Sequence, residues 1–333
     1  MVEGDARRAP GSGRATVAIA INPIAGRGRA AAGREAEARL VERGIPVVAH
    51  YGASAADTEA FAERAVRDGI PVLVVVGGDG TVSTVLDAID RVLVDAPSAR
   101  LPAIGIVPAG TGDDLARALG IPLGDARAAA DVAVDGSRRR IDSGVVEGAG
   151  WRRRFVTVAA CGFDSRVAER TNRLRWPAGQ WRYRLAIVVE VLRLAPTAFR
   201  VAVDGALGRA FAGTLVAVAN TPSYGGGMPI APGASAVDGL LDVVEVAAVG
   251  RLRLLGLLPR LVKGTHAALR EVAILRATSV EIDAPNVVVY ADGERLGWAP
   301  VRIRVEPASL EVCVPAAEAG SVPATGSVAA TAE

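Results

Sequence analysis

The chain has 333 residues, of which 50 % are apolar and 22 % charged, and its formal net charge is only +2. This length favours two globular domains, and the low net charge with 4 % aromatic residues argues against nucleic acid as a partner. The two cysteines, two histidines and single lysine argue against a disulfide framework, a cysteine- or histidine-rich metal cluster and a P-loop.

The two ends of the chain are predicted to be disordered. Residues 1–14 and 316–333 are rich in small and polar residues and lack a helical or strand periodicity. The N-terminal stretch has no apolar core of the kind a signal peptide needs. No apolar run reaches the roughly 18 residues of a membrane-spanning helix. We therefore expect the protein in the cytoplasm.

Residues 15–142 alternate short apolar runs with segments of helical periodicity. The predicted strands are 16–22, 46–51, 71–76 and 103–108, and the predicted helices are 30–43, 58–68, 82–94 and 115–119. Continuous runs of branched apolar residues are typical of strands buried on both faces, as in a parallel sheet. The alternation predicts an α/β domain with helices on both faces of the sheet.

Beyond Asp142 the pattern changes to short strands divided by glycine, proline and Asp-Gly turns. The strand candidates are 142–148, 152–162, 198–205, 213–220, 240–247, 277–284, 286–293 and 301–307. This pattern predicts an antiparallel β-rich domain over residues 143–300. Helical periodicity interrupts it at 182–194 and 251–269.

The stretch "VLVVVGGDGTVSTVLDAI" places an Asp-Gly pair after a buried strand. The apolar residues that follow recur with the period of a helix and not of a hairpin strand, so a strand, a turn and a helix capped by Thr81 are predicted. Gly77 and Gly78 let the backbone approach a ligand, and the helix N-terminus favours phosphate. Asp79 would repel a bare phosphate, which suggests Mg²⁺; the alternative is a tight turn with a solvated Asp79.

Two further glycine turns follow predicted strands. "AIGIVPAGTGDDLARALG" carries Gly110 and Thr111 before a short helix that Asp113 or Asp114 would cap, and "NPIAGRG" follows the first strand. Turns at the carboxyl ends of parallel strands converge on one crevice, which predicts a phosphate-binding site there. A dinucleotide fingerprint in the first loop is disfavoured, because the acidic residue about 20 positions on is missing.

The ordered set "NPIAGRG", "GGDGT", "PAGTGDDLARALG", "CGFDSRVAERTNR", "VANTPSYGGGMPIAPGASAVDGLLDV", "KGTH" and "YADGE" resembles the diacylglycerol kinase family of soluble bacterial lipid kinases. The resemblance covers about residues 15–315. NAD kinases and phosphofructokinases share GGDGT, whereas the full set is specific to the lipid kinases. It implies a three-layer, NAD-kinase/diacylglycerol-kinase-like α/β domain with a mostly parallel sheet, followed by the antiparallel β-rich domain. A final strand at about 301–315 would return to the first domain.

The resemblance also implies roles for individual residues. The residues that would hold ATP are Asn22, Pro23, Gly26, Thr58, Gly77, Gly78, Gly80, Thr81, Gly110 and Thr111. Asp79 would hold the catalytic Mg²⁺ and Glu294 would be the catalytic base. A structural Mg²⁺ would lie at Ser235, Asp238 and Leu240. From spacing alone, Glu294 fits a surface position in a hairpin turn, and Asp238 fits a plain turn equally well.

The expected reaction is ATP-dependent phosphorylation of diacylglycerol to phosphatidic acid. Two departures from the family pattern concern the site: Ser83-Thr84 replaces Asn-Glu after GGDGT, and Asp113 replaces an asparagine. A sphingoid base, ceramide, a glycolipid or NAD remains an alternative acceptor, and a non-catalytic nucleotide-binding regulator is a further alternative. Arginines beside tryptophans and leucines at 176–199 and 251–262 suit transient contact with the inner face of the membrane, or simple packing between helices. A homodimer is left open.

Overall fold

The computed structural model describes residues 15–22, 27–174, 176 and 180–316. The predictions for residues 1–14 and for Pro23 and Gly26 lie outside these residues, as does the predicted tail beyond Ala316. Within the described ranges, no helix is both long and apolar enough to cross a membrane.

The first part of the chain is an α/β domain with a parallel sheet. Its elements are β1 (Val17–Ile21), α1 (Arg27–Glu42), β2 (Val47–Tyr51), α2 (Ala55–Arg67), β3 (Val72–Gly77), α3 (Asp79–Asp95), β4 (Ala103–Pro108), α4 (Asp114–Ala118) and α5 (Ala126–Asp135). The strands are parallel in the order β4-β3-β1-β2. Every residue of β1, β3 and β4 is buried, as continuous apolar runs predict. α1 packs with α5 and α2 with α3.

The second part is built from antiparallel strands. Its elements are β5 (Ser137–Gly148), β6 (Trp151–Phe155), β7 (Val158–Gly162), α6 (Phe163–Arg173), α7 (Gln180–Leu192), β8 (Thr197–Val203), β9 (Arg209–Ala219), β10 (Leu241–Ala247), α8 (Arg251–Val262), a 3₁₀ turn (His266–Ala268), β11 (Val272–Ala277), β12 (Ser279–Asp283), β13 (Val288–Ala291), β14 (Glu294–Trp298) and β15 (Val301–Val314). β15 pairs antiparallel with β5 and β12, and Val312 pairs in parallel with Ile104 of β4. One continuous sheet therefore spans both parts, and the predicted fold class is confirmed.

The structure adds helices that the sequence pattern did not predict. α5 (Ala126–Asp135) is one of them; it is capped by Asp125, whose side chain accepts a hydrogen bond from the Ala128 amide. α6 begins directly after Gly162, whose φ of 100° turns the chain out of β7. The predicted helix at 251–269 is too long, because α8 ends at Val262 and Gly264, with a φ of 70°, turns the chain.

An ion-pair network joins the two parts of the molecule. The Arg154 guanidinium on β6 lies 2.7 Å from carboxylate oxygens of Asp90 on α3 and Glu306 on β15. It also donates to the Ser143 hydroxyl at 2.6 Å. Its side chain is 7 % exposed, whereas the side chain of Arg152, which pairs with the same carboxylates, is 38 % exposed. Arg154 is thus the buried centre of this network.

We expect Arg154→Ala to lower the free energy of unfolding by about 3 kcal/mol, because Asp90 and Glu306 lose their buried partner and keep only more exposed arginines. Arg152→Ala is the matched control and should cost less than about 1 kcal/mol, since its pairs are solvated. Urea denaturation followed by circular dichroism measures both. Equal effects of the two substitutions would contradict the assignment of Arg154 as the centre.

Candidate active site

Two of the predicted glycine turns are in direct contact. β3 and β4 end side by side, with Gly77 opposite Pro108. A Cβ on Gly110 would lie 2.6 Å from the Gly78 Cα, and one on Gly78 would lie 3.1 Å from the Gly110 Cα. No other residue fits either position without displacing backbone. The convergence expected from the parallel strands is therefore present in the structure.

The N-terminus of α3 lies at this contact. The prediction that Thr81 caps the helix is wrong: α3 begins at Asp79, and Gly78, with extended backbone, is the N-cap. The Thr81 side chain is instead buried under Gly77, where a Cβ would meet its hydroxyl at 2.5 Å. The positive end of a 17-residue helix thus points at the crevice formed by the two turns.

Asp79 holds the neighbouring helix. Its two carboxylate oxygens each accept a backbone N–H at 3.0 Å, from Asp114 and Leu115 at the start of α4. Asp113 occupies the N-cap position of α4, as predicted, but its side chain makes no capping hydrogen bond there, because Asp79 binds the first amides instead. Burial, together with the negative charge of Asp292, raises the pKa of Asp79 to about 7, although the two amide bonds oppose the shift.

Asp113 and Asp114 have separate roles. Asp113 takes a left-handed conformation with a φ of 53° and accepts the Gly110 amide at 2.9 Å, which closes the turn. Asp114 is buried and accepts from the Ser223 hydroxyl at 2.7 Å and from the Gly226 and Gly227 amides at 2.9 and 2.7 Å. Asp114 therefore attaches the glycine-rich loop 221–228 of the β-rich part to the α/β part.

Asp292 makes a second connection between the two parts. One of its oxygens accepts from the Ser83 hydroxyl on α3 and from the Val156 amide at 2.8 Å. The other accepts from the Thr157 amide at 2.9 Å and from the Thr157 hydroxyl. Burial raises the pKa of Asp292, and the four hydrogen bonds work against that shift. The turn between β13 and β14 is thereby fixed against α3.

Glu294 follows Asp292 in this turn and lies against the α3 N-terminus. A Cβ on Gly80 would meet the Glu294 Cγ at 3.0 Å and its Oε1 at 3.1 Å. The Glu294 side chain is exposed to solvent at the mouth of the crevice. A carboxylate from the β-rich part therefore faces the phosphate-type turn of the α/β part.

Arg29 supplies the basic group at the crevice. Its Nε donates to the Ala109 carbonyl at 3.1 Å, and its guanidinium interacts electrostatically with Asp113 and Glu294. Burial lowers the pKa of this guanidinium. The residues predicted to form the site did not include Arg29 or Asp292, and Asp114 was predicted only as a helix cap. A signal for Arg29 was its position just after the first glycine-rich loop.

The structure brings together most of the predicted residues. Those at the crevice are Gly77, Gly78, Asp79, Gly80, Thr81, Gly110, Thr111 and Glu294; Asn22 follows β1, the strand beside β3. The Thr111 side chain is exposed there. Thr58 does not present its side chain to the crevice, since it is fully buried under Gly52 and its hydroxyl donates to the Ser54 carbonyl at 3.2 Å.

The residues predicted to hold metal differ in how well they suit a cation. Asp79 offers oxygen donors, the kind that Mg²⁺ prefers, and each of its two oxygens keeps a lone pair beyond its amide bond. At the predicted structural site, Asp238 accepts the Leu240 amide at 3.1 Å and pairs with Arg276, while Ser235 is half-buried nearby in sequence. A cation there would have to displace Arg276, so this site does not fit as it stands. In the described part of the chain, no three His, Cys, Asp or Glu side chains are grouped to hold a metal.

A buried acid also lies beside the glycine-rich loop. Asp164, in the first turn of α6, accepts a hydrogen bond from the Tyr224 hydroxyl. Burial raises the pKa of Asp164 to about 6, and the Tyr224 bond partly opposes this shift. The folded state therefore holds this proton more tightly than the unfolded chain does. The contribution of Asp164 to stability is complete below about pH 4 and is lost as the pH rises to about 6.

We expect Asp164→Asn to match the parent protein in stability near pH 4 and to exceed it by at most about 3 kcal/mol above pH 6. The asparagine can still accept the Tyr224 bond but carries no charge to bury. Urea unfolding of both proteins across this pH range measures the difference. In a Tyr224→Phe background, Asp164→Asn should stabilise the protein more above pH 6, because Asp164 has lost the hydrogen bond that opposes its pKa shift. A stability difference between Asp164→Asn and the parent that does not change with pH would contradict the assignment.

Comparison with known proteins gives the relationship of this chain. Residues 16–146 match the diacylglycerol kinase catalytic domain, and residues 157–314 match the YegS C-terminal NAD kinase beta sandwich-like domain. A diacylglycerol kinase of Mycobacterium tuberculosis is 42 % identical over 296 residues, covering 88 % of this chain and 93 % of the relative. A diacylglycerol kinase of Bacillus subtilis is 30 % identical over 270 residues, covering 79 % and 84 %.

A further relative and a solved structure agree with this relationship. A protein of Xanthomonas euvesicatoria, named a probable YegS-like lipid kinase, is 33 % identical over 300 residues, covering 85 % of this chain and 91 % of its own. The crystal structure of a diacylglycerol kinase from Bacillus anthracis has the same fold, with a TM-score of 0.65 and 19 % identity over 92 % of this chain and 98 % of that one. Because residues 16–146 match the catalytic domain and the Mycobacterium tuberculosis relative is 42 % identical over 93 % of its length, the chain belongs to the diacylglycerol kinase family of lipid kinases.

Proposed function

We propose that this protein transfers the γ-phosphoryl group of ATP to the free hydroxyl of a 1,2-diacylglycerol, giving phosphatidic acid and ADP. The observation that carries the proposal is the position of Glu294, a carboxylate from the β-rich part that lies against Gly80 at the N-terminus of α3. A proton acceptor thus faces a turn suited to phosphate. The relatives named diacylglycerol kinase support the choice of acceptor.

The phosphates of ATP would lie over the two touching glycine turns. The N-terminus of α3 provides backbone N–H groups and a positive dipole end. The exposed hydroxyl of Thr111 and the guanidinium of Arg29 lie at the same crevice. Asp113 does not compete for this space, because its carboxylate accepts the Gly110 amide and holds the turn in shape.

Mg²⁺ bound with ATP would neutralise charge on the phosphates during transfer. Asp79 is the residue whose oxygen atoms would hold it. A bound cation would also offset the negative charge of Asp79, Asp292 and Asp114. These groups lie close together, since the charges of Asp292 and Asp114 both raise the pKa of Asp79.

The acceptor hydroxyl would be activated by Glu294. An alcohol is a weak nucleophile at neutral pH, so its proton is removed as the new bond to phosphorus forms. In that step the O–P bond to the acceptor forms, the bond between the γ-phosphorus and the β-bridging oxygen breaks, and the proton passes to a Glu294 oxygen. ADP leaves with the electron pair of the broken bond.

The acceptor can be tested with a panel. Purified protein, Mg²⁺-ATP and mixed micelles containing diacylglycerol, ceramide, sphingosine or a glycolipid are incubated with labelled γ-phosphate, with NAD in a parallel reaction. Diacylglycerol should give labelled phosphatidic acid at a rate at least about tenfold above the other acceptors. Turnover of another lipid alone would transfer the proposal to that acceptor class, which the YegS-like relatives make worth including. ATP binding without labelling of any acceptor would favour a regulator.

We expect Glu294→Gln to lower kcat by about 10²–10⁴, the usual contribution of a general base, with little change in the KM for ATP. The control is Glu281→Gln, which changes an exposed glutamate on β12. Steady-state kinetics with saturating acceptor separates kcat from KM. A kcat within a few-fold of the parent would show that Glu294 is not the base.

Ser83 should act as a positioning residue for Glu294. Ser83→Ala removes one hydrogen bond to the buried Asp292 carboxylate, and we expect kcat to fall by about tenfold while the KM for ATP stays the same. Ser83→Thr keeps a hydroxyl and should recover most of the rate. If both variants behave alike, the hydroxyl does not position the turn.

A further inference from the structure

Helices α7 and α8 of the β-rich part lie side by side on one face of the sheet. They pack against each other, and Ala186 and Val191 of α7 and Leu254 of α8 belong to the core beneath them. An open groove of about 660 Å³ joins the end of α7 to the start of α8; its wall includes Leu194, Val249 and Arg251. A surface helix of this kind is expected to have polar residues on its outward side.

The outward sides of both helices are apolar instead. On α7 the exposed residues recur at helical spacing: Trp181 (67 % exposed), Leu185 (37 %), Val188 (55 %) and Leu192 (64 %). On α8 they are Leu252 (86 %), Leu255 (49 %) and Val262 (67 %). Trp176, just before α7, is 80 % exposed. Single exposed leucines are ordinary, but two adjacent stripes form a patch of the kind that marks an interaction surface.

The unpaired charge around this patch is positive, while Arg253 of α8 pairs with Glu271. The twelve residues of α8 contain three arginines and no acidic residue. The acidic residue of α7, Glu190, faces inward and pairs with Arg170. Arg251, Arg260 and Lys263 are exposed, and among the described residues no carboxylate forms an ion pair with them. The apolar stripes are therefore bordered by free positive charge.

We propose that the outward faces of α7 and α8 dock this protein onto an anionic lipid bilayer. The inference rests on the proposed function, since an acceptor that stays in the bilayer must be reached there. Leucine and tryptophan side chains would enter the boundary between headgroups and acyl chains, and the arginines and Lys263 would meet anionic headgroups. A second copy of the chain is a poorer occupant, because the same free cations would face each other across such an interface.

The test is binding of the full chain to vesicles, without nucleotide or acceptor. Vesicles of phosphatidylglycerol mixed with phosphatidylcholine should sediment with the protein, and vesicles of phosphatidylcholine alone should bind it at least about fivefold less. The double variant Leu252→Glu/Leu255→Glu should reduce binding to the mixed vesicles by at least about tenfold, since both side chains are exposed and would carry charge into the interface. Thermal unfolding of the variant checks that it folds.

The matched control is Leu207→Glu, at a side chain that is 96 % exposed in the turn between β8 and β9; it should bind vesicles as the parent does. Failure of the parent to bind the mixed vesicles, or equal binding by the double variant, would overturn the proposal. So would a parent dimer that the double variant makes monomeric, with no vesicle binding by either. Because the assay contains no ATP or acceptor, its failure is distinct from failure to phosphorylate dispersed diacylglycerol in the panel assay.

Discussion

The geometry of the crevice depends on the buried carboxylate of Asp292. Removing a charge from water is costly, and burial raises the pKa of this group accordingly. The cost is offset by donors from both parts of the molecule. These are the Ser83 hydroxyl on α3, the backbone amides of Val156 and Thr157, and the Thr157 hydroxyl. These donors reach one carboxylate only when the β13–β14 turn is seated on α3. The position of Glu294, two residues later, follows from that seating.

Asp79 and Asp114 apply the same principle around the crevice. Each accepts hydrogen bonds from backbone amides of another segment. Asp79 binds amides at the start of α4, and Asp114 binds amides of the glycine-rich loop. The charges of Asp292 and Asp114 help to raise the pKa of Asp79, so negative charge is concentrated next to a turn suited to phosphate. The α3 dipole and Arg29 offset only part of it. This imbalance is the physical reason that a phosphorylated ligand would have to arrive with a cation.

The sequence predicts what local periodicity determines. The buried runs of β1, β3 and β4 and the helical spacing after Asp79 gave the parallel sheet and the convergence of its turns. The capping hydrogen bonds of α4 could not be predicted in this way, because its first amides donate to Asp79, which lies 35 residues before Asp114 in the chain. Likewise, Thr58 follows its strand at a suitable spacing, but packing under Gly52 buries its hydroxyl. Such outcomes depend on tertiary neighbours that no local pattern specifies.

The path of the final strand limits how the crevice can move. β15 pairs with β5, which runs through Asp142, and reaches β4 at Val312. Where β15 passes from one part to the other it bulges at Ala308, whose φ is 48°, and the buried Asp142 carboxylate accepts the Ala308 amide at 2.7 Å. A hinge opening at this boundary would break ladder hydrogen bonds and expose that carboxylate. These hydrogen bonds therefore oppose a hinge opening of the crevice, and under the proposed function a bulky acceptor would reach Glu294 through the placement of the whole molecule on the bilayer.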